Sequence, residues 1–253
     1  MNHSHQPDGG LILLGVVVAV VGYDYLTTRT RHWPWWRTIL FLTGGTLLVV
    51  GLTLRSADDF RTHMLQHLLI GMLAPLGLVL GAPVTLLLRT MPRQAGRAVG
   101  RVLRSRFVHV VAQPAVALTL NLGGLLLLYL TPLYTWTTRH PATHLLVHLH
   151  FLLAGYLFAW VIAGPDPAPR RPRVPARLVV LGLAVAFHAT FSQLMYAGAF
   201  VHLPVPEEQR RGAATLMYYG GDIAELLLAA ALVTNWRPRR SAPVARSALA
   251  SAP

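Results

Sequence analysis

Seven apolar stretches alternate with polar links along the chain, at residues 9–26, 35–54, 63–82, 107–130, 141–163, 176–200 and 212–236. Each approaches or exceeds the roughly twenty residues that a helix needs to cross a bilayer. The pattern predicts an all-α polytopic membrane protein, a bundle of seven transmembrane helices that forms one domain over residues 1–236. Residues 237–253 read as an Arg/Ala/Pro-rich tail whose composition suits disorder.

Punctuation within the pattern is informative. Pro75 and the step Gly81-Ala82-Pro83 should kink or end the third segment, leaving Val84 to Leu88 as a short re-entrant or interfacial piece. Tyr23, Tyr25, Trp33, Trp35 and Trp36 read as interfacial anchors, and Asp24 falls at headgroup level among them. The Pro/Arg-rich stretch Pro165–Pro175 reads as a linker. The first ten residues lack a basic n-region and a small-x-small cleavage site, so the first segment is expected to be an uncleaved span. Segments three and five resemble each other, since each opens with His-x-x-x-His and runs to a Gly/Pro break, as a duplicated helical pair would.

Composition narrows the chemistry. Hydrophobic residues make up 54% of the chain and charged residues only 12%. There is no cysteine, so disulfides and thiolate metal sites are excluded, and a metal would have to be held by His, Met, carboxylate or backbone. The net charge of +13 comes from arginines spread over the links and not gathered on one soluble face, which argues against nucleic acid.

Those arginines orient the bundle. The links after segments one, three and five carry Arg29, Arg31 and Arg37; Arg89, Arg93, Arg97, Arg101, Arg104 and Arg106; and Arg170, Arg171, Arg173 and Arg177. The tail adds Arg237, Arg239, Arg240 and Arg246. On the other side, Arg55 and Arg61 face Asp58 and Asp59, Arg139 stands alone, and Arg210 and Arg211 face Glu207 and Glu208. The positive-inside rule then predicts an N-terminus outside and a C-terminus in the cytoplasm.

With that threading, polar side chains collect in the outer half of four helices. His63 and His67 open segment three one turn apart, and His144 and His148 do the same in segment five behind Pro141, which suits a first helical position. His150 is turned about 200° from His148 and should face elsewhere. His188, Ser192 and Met195 form a stripe on segment six, and Tyr218, Asp222 and Glu225 form another on segment seven, with Met217 beside it. Imidazole with thioether suits copper, and imidazole with carboxylate suits zinc. The candidate metal ligands are therefore His63, His67, His144, His148, His188, Met195, Asp222 and Glu225.

Plainer readings stand beside each of these. A lone His188 is more often an interhelical hydrogen bond, and Met195 and Met217 more often packing. The two acids are harder to dismiss, because a carboxylate deep in a bilayer costs several kcal/mol. Asn121 with Gly123 and Gly124 fits close helix packing. His32, His109, His140 and His202 fall near the interfaces, where solvation accounts for them. The terminal amine, two backbone amides and His3, near His5, could form a four-nitrogen Cu(II) site.

The chain resembles the CtaG-type family of seven-helix cytochrome c oxidase assembly factors, associated with caa-type oxidases. The resemblance rests on His63-Met64-Leu65-Gln66-His67 leading to Ala74-Pro75-Leu76 and Gly81-Ala82-Pro83, and on His144-x-x-x-His148 leading to Gly155 and Gly164-Pro165. It continues through His188 to Tyr196 and from Glu207-Glu208-Gln209 through Met217, Gly220, Gly221 and Asp222. Where the family commonly has Asp-Gln before the last helix, this chain has Glu208-Gln209, a mild departure.

The resemblance implies a non-enzymatic role in oxidase assembly. It points to a multi-pass protein of the bacterial plasma membrane, delivering or inserting copper from the extracytoplasmic side, with an oxidase subunit, copper and membrane lipids as partners. The enzymatic alternative is a seven-helix zinc hydrolase acting on a lipid amide or ester, with Ser192 and Asp222 serving the site. A haem between His67 and His148, and a proton or ion path at the level of His188 and Glu225, are further readings of the same residues.

Overall fold

The structure is a computed structural model that describes residues 7–54, 59–169, 171–199 and 203–234, with the side chains of residues 7–9 and 11 left aside. His3, His5, His202 and the tail 237–253 lie outside the described residues. Among the described residues every regular element is a helix.

The helices are α1 (Pro7–Arg29), α2 (Trp35–Thr53), α3 (Phe60–Leu68), a π-helical turn (Leu69–Leu73), α4 (Ala74–Leu80) and α5 (Pro83–Thr90). They continue as α6 (Arg93–Leu103), α7 (Arg106–Val111), α8 (Pro114–Leu130), α9 (Leu133–Arg139), α10 (Pro141–Ala163), α11 (Val174–Ala197) and α12 (Glu207–Thr234). Six of the resulting segments are long and apolar enough to cross a membrane, and there are seven if α8 with α9, bent by 77° at Thr131-Pro132, is counted as one span.

α3, the π-helical turn and α4 run through the middle of the bundle and pack against α2, α10 and α12. α1 lies outside α2, and α11 closes the far side against α12 and α8. Small residues allow the tightest crossing in this spine: a Cβ added to Gly44 of α2 would stand 2.6 Å from the backbone nitrogen of Leu78, and one on Gly77 of α4 2.7 Å from the carbonyl oxygen of Leu40.

Contacts fix which links share an end of the bundle. At one end Tyr23 donates to the Gly81 carbonyl, Asp166 accepts from α5, and Arg177 donates to the Ile162 carbonyl, which gathers the arginine-rich links. At the other, Arg61 pairs with Glu208 at 2.7 Å and the backbone N–H of Phe60 donates to Gln209 Oε1. Arg210 there donates to the last carbonyls of α11, Met195 and Tyr196. Glu208-Gln209, the mild departure noted above, is therefore a clamp between the starts of α12 and α3.

Three expectations need correction. Segment four is not continuous over 107–130: Pro114, which has no N–H to donate and pushes Gln113 to an extended ψ of 132°, separates α7 from the spanning α8. The basic stretch after α5 is largely α6, a helix with no buried residue. The linker Pro165–Pro175 is not merely connecting, because Asp166 within it is buried.

The break at Gly81-Ala82-Pro83 is observed. Ala82 takes a left-handed φ of 53°, and α5 follows as a short separate helix. Pro75 does not end the helical run, which continues from α3 through the π-helical turn into α4. Lacking an N–H for the Gly71 carbonyl, it goes with the π-helical turn just before it, where the Ala74 N–H reaches back to Leu69.

Candidate metal centre

α3 and α10 bring their His-x-x-x-His pairs face to face at the end of the bundle opposite the arginine-rich links. The rings of His144 and His148 stand edge to face with centroids 4.2 Å apart, and the His63 ring lies 6.5 Å from His144. His63 and His148 are buried and His144 is half-buried. His67, one turn deeper on α3, packs edge-on against Phe151 at 4.5 Å and is within electrostatic reach of His63, His148 and His188.

The deeper level is built by α11 and α12. His188, Ser192 and Met195 are all buried on the inner face of α11, as the i, i+4, i+7 spacing requires. The Nδ1 atom of His188 meets Glu225 Oε1 of α12 at 2.9 Å, with side chains 5% and 3% exposed. Glu225 also lines a small cavity with Gly71, Asn121, Gly155 and Ala224. Asn121 thus borders this level, beyond the packing role expected of it.

Four candidates sit less centrally. Asp222 is half-buried and, among the described residues, makes no hydrogen bond or ion pair. Tyr218 lines a side groove of roughly 180 Å³ between α11 and α12, with Ser192, Tyr196 and Tyr219. Met195 and Met217 are fully buried in one apolar cluster with Phe60, Tyr129 and Met64. Met64, between the two histidines of α3, was missed as a candidate because its position in the sequence resembles ordinary core.

Of the histidines outside the set, His150 takes the direction its spacing predicts. His150 turns away from His148 and bonds the Leu120 carbonyl of α8 at 3.2 Å, filling the space beside Gly124. A Cβ added at Gly123 would meet nothing within 4 Å, whereas one at Gly124 would strike the His150 ring. His32 and His140 are exposed, while His109 is half-buried.

What the arrangement can do follows from its unpaired atoms. Among the described residues, His63 Nε2, both ring nitrogens of His67, His188 Nε2, Ser192 Oγ and Glu225 Oε2 are buried without a hydrogen-bond partner. Buried polar atoms are normally satisfied, and each exception calls for a reason. No three His, Asp or Glu side chains converge on a common point among the described residues, so the site as it stands offers pairs of ligands and not a closed cage. The donor set fits a soft or borderline cation held by imidazole, with no thiolate among the possible ligands.

Comparison with known proteins gives this geometry a context. An uncharacterised protein of Mycobacterium bovis is 34% identical over 248 residues, covering 88% of this chain and 38% of its own length. One of Mycobacterium leprae is 34% identical over 196 residues, 71% of this chain and 30% of its own. The chain therefore spans well under half the length of these curated relatives. No solved structure matches. The sequence profile of a family described as cytochrome c oxidase caa3 assembly factor matches residues 19–239. That span takes in both histidine pairs, the His188–Glu225 contact and the Glu208-Gln209 clamp, and the chain belongs to this family of caa3-type cytochrome c oxidase assembly factors.

Proposed function

We propose that the chain is a multi-pass protein of the bacterial plasma membrane that accepts copper and passes it towards a cytochrome c oxidase subunit during assembly. On this reading copper is cargo. The N-terminus lies outside and the C-terminus in the cytoplasm, as the arginine distribution requires, so the histidine end opens to the extracytoplasmic side. His63, His67, His144 and His148 take the ion first; His188, Met195, Asp222 and Glu225 serve it deeper.

The observation that carries the reading is the set of buried, unpartnered ring nitrogens on His63, His67 and His188. Each such atom costs roughly 1–3 kcal/mol while it has no partner. A cation that two imidazoles can hold offsets that cost. The absence of cysteine and the clustering of Met64, Met195 and Met217 lean towards copper. The zinc-hydrolase alternative gains no support from the geometry, since catalytic zinc needs three protein ligands and no three converge among the described residues.

The test is elemental analysis of the detergent-purified chain, before and after chelation. Copper should be present and should be lost from a His67→Ala/His148→Ala double variant that keeps its helical circular dichroism. Full copper occupancy in that variant would overturn the assignment, and stoichiometric zinc in its place would favour the hydrolase.

A further inference from the structure

The opposite end of the bundle carries a second site, built on Trp33. Its indole N–H donates to Tyr23 Oη at 3.2 Å, and the Tyr23 hydroxyl donates to the Gly81 carbonyl at 2.8 Å. The Tyr23 ring stacks on Phe41 with centroids 3.8 Å apart. These contacts from α1, α2 and the α4–α5 break hold the indole in one place.

Two guanidinium groups converge on that indole. Arg37 of α2 lies 5.3 Å from the ring centroid and Arg89 of α5 lies 5.6 Å from it. Arg37 also stands 5.2 Å from Trp36, and its Nε is buried without a hydrogen-bond partner. Cation–π contact contributes about 0.5–1 kcal/mol at exposed sites, which does not by itself explain why two like charges share one ring.

The neighbouring carboxylate does not neutralise them by direct bonding. Asp166 interacts electrostatically with Arg37, but its two oxygens are occupied by the start of α5: Oδ2 accepts from the Val84 N–H at 3.0 Å, and Oδ1 accepts from the Thr85 N–H at 2.7 Å and the Thr85 hydroxyl at 2.6 Å. Among the described residues, the guanidinium groups of Arg37 and Arg89 make no hydrogen bond or ion pair. Trp35, 73% exposed, together with Trp36 and Tyr25, exposes large aromatic faces at the same level.

We propose that Arg37 and Arg89, held on the locked indole of Trp33, form a binding site for one phosphate group. The planar fork of arginine matches phosphate oxygens in pairs, and basic pockets between spanning helices are suited to anionic headgroups. The surrounding belt of exposed aromatic side chains makes a lipid headgroup the source, with free phosphate sharing the same chemistry.

Native mass spectrometry of the full chain, released from vesicles of mixed phosphatidylglycerol and phosphatidylcholine, tests this directly. Phosphatidylglycerol should stay bound in preference, and retention should fall about tenfold in Arg37→Gln/Arg89→Gln. Arg89→Gln alone, at an exposed position that threatens no packing, should show a smaller loss in the same direction. Arg211→Gln is the control, because Arg211 also lies over an aromatic ring, Tyr196 at 5.4 Å, but at the histidine end. Binding of inorganic phosphate that is lost in the Arg89 variant, without headgroup preference, would keep the site and assign it to the free anion. Equal lipid and phosphate retention in wild type and both Arg89 variants, or an equal loss in Arg211→Gln, would overturn it.

Discussion

Gly155 of α10 lies directly against Gly71 of the π-helical turn: a Cβ built on Gly155 would stand 1.9 Å from the Gly71 carbonyl oxygen. That carbonyl is free of a bond to residue 75 because Pro75 has no N–H, so one proline and two glycines together make the crossing. It matters for the site, because the same turn follows His67 directly and the cavity beside Glu225 is lined by both glycines. Gly155→Ala would gain up to about 1 kcal/mol of helix propensity, yet overpacking of this kind costs roughly 1–3 kcal/mol and here meets backbone, which cannot yield easily. The clash should win. Thermal unfolding in detergent should show a lower midpoint for Gly155→Ala, and an unchanged or higher one for Gly182→Ala, where nothing lies within 4 Å.

The clamp between α12 and α3 separates a hydrogen bond from an ion pair. Gln209 Oε1 accepts the Phe60 N–H at 3.2 Å, satisfying one donor at the start of the helix that carries His63 and His67. Arg61 and Glu208 pair at 2.7 Å but are 44% and 89% exposed, so solvent screening leaves that pair worth little. Gln209→Ala should therefore cost about 1 kcal/mol and Glu208→Gln only a few tenths, a difference that chemical unfolding of the two variants would resolve. A larger loss in Glu208→Gln would show that the pair, and not the cap, holds the two helices.

Much of this was legible in the chain itself, for reasons that are local. The period of the histidines decided their shared faces, so His63 with His67, His144 with His148, and the divergence of His150 could all be read from spacing. The Gly81-Ala82-Pro83 break was legible because glycine is a poor helix residue and Pro83, which cannot donate to the preceding turn, suits the first position of a new helix. Asp166 was not: between prolines and arginines it looks like linker, and only the return of α5 to the same end supplies the amides that bury it. Met64 was not singled out because nothing local marks one methionine of a core as lying between two histidines that face a neighbouring helix. The split at Pro114 was missed because the apolar run continues through it, and hydropathy has no term for a missing N–H. Gln209 showed no local sign of its cap, since its partner lies 149 residues away.

The contact between His188 and Glu225 makes a prediction that distinguishes charge from shape. Both side chains are buried, and Glu225 uses one carboxylate oxygen on His188 while the other has no partner. Removing the acceptor leaves a buried imidazole N–H without its partner, which costs roughly 1–3 kcal/mol. Glu225→Ala should therefore be destabilising by about that amount. Glu225→Gln keeps a carbonyl oxygen at the same reach and should recover most of the loss. If Glu225→Gln and Glu225→Ala unfold at the same midpoint, the negative charge itself, and not the hydrogen bond, is what His188 requires.

Asp166 sets the position of α5, and its three accepted hydrogen bonds can be taken away one step at a time. Thr85→Ala removes the hydroxyl donor alone and should cost about 1 kcal/mol. Asp166→Asn keeps one carbonyl oxygen for the Thr85 side of the cap but turns an N–H₂ group towards the Val84 N–H, so it loses one bond and adds a donor facing a donor. Asp166→Ala abandons both backbone amides at the start of a helix entered through a left-handed Ala82, and hydrogen bonds to a charged acceptor are worth roughly 1.5–3 kcal/mol each. The order of destabilisation should therefore be Thr85→Ala, then Asp166→Asn, then Asp166→Ala, read as thermal midpoints. Because α5 makes its remaining contacts mainly with α1, its release should also expose the stretch around Arg89 and Arg93 to trypsin well before the bundle unfolds. Cleavage there at the wild-type rate in Asp166→Ala would mean that packing of Leu86 against Tyr23 and Phe41, and not the carboxylate, keeps α5 in place.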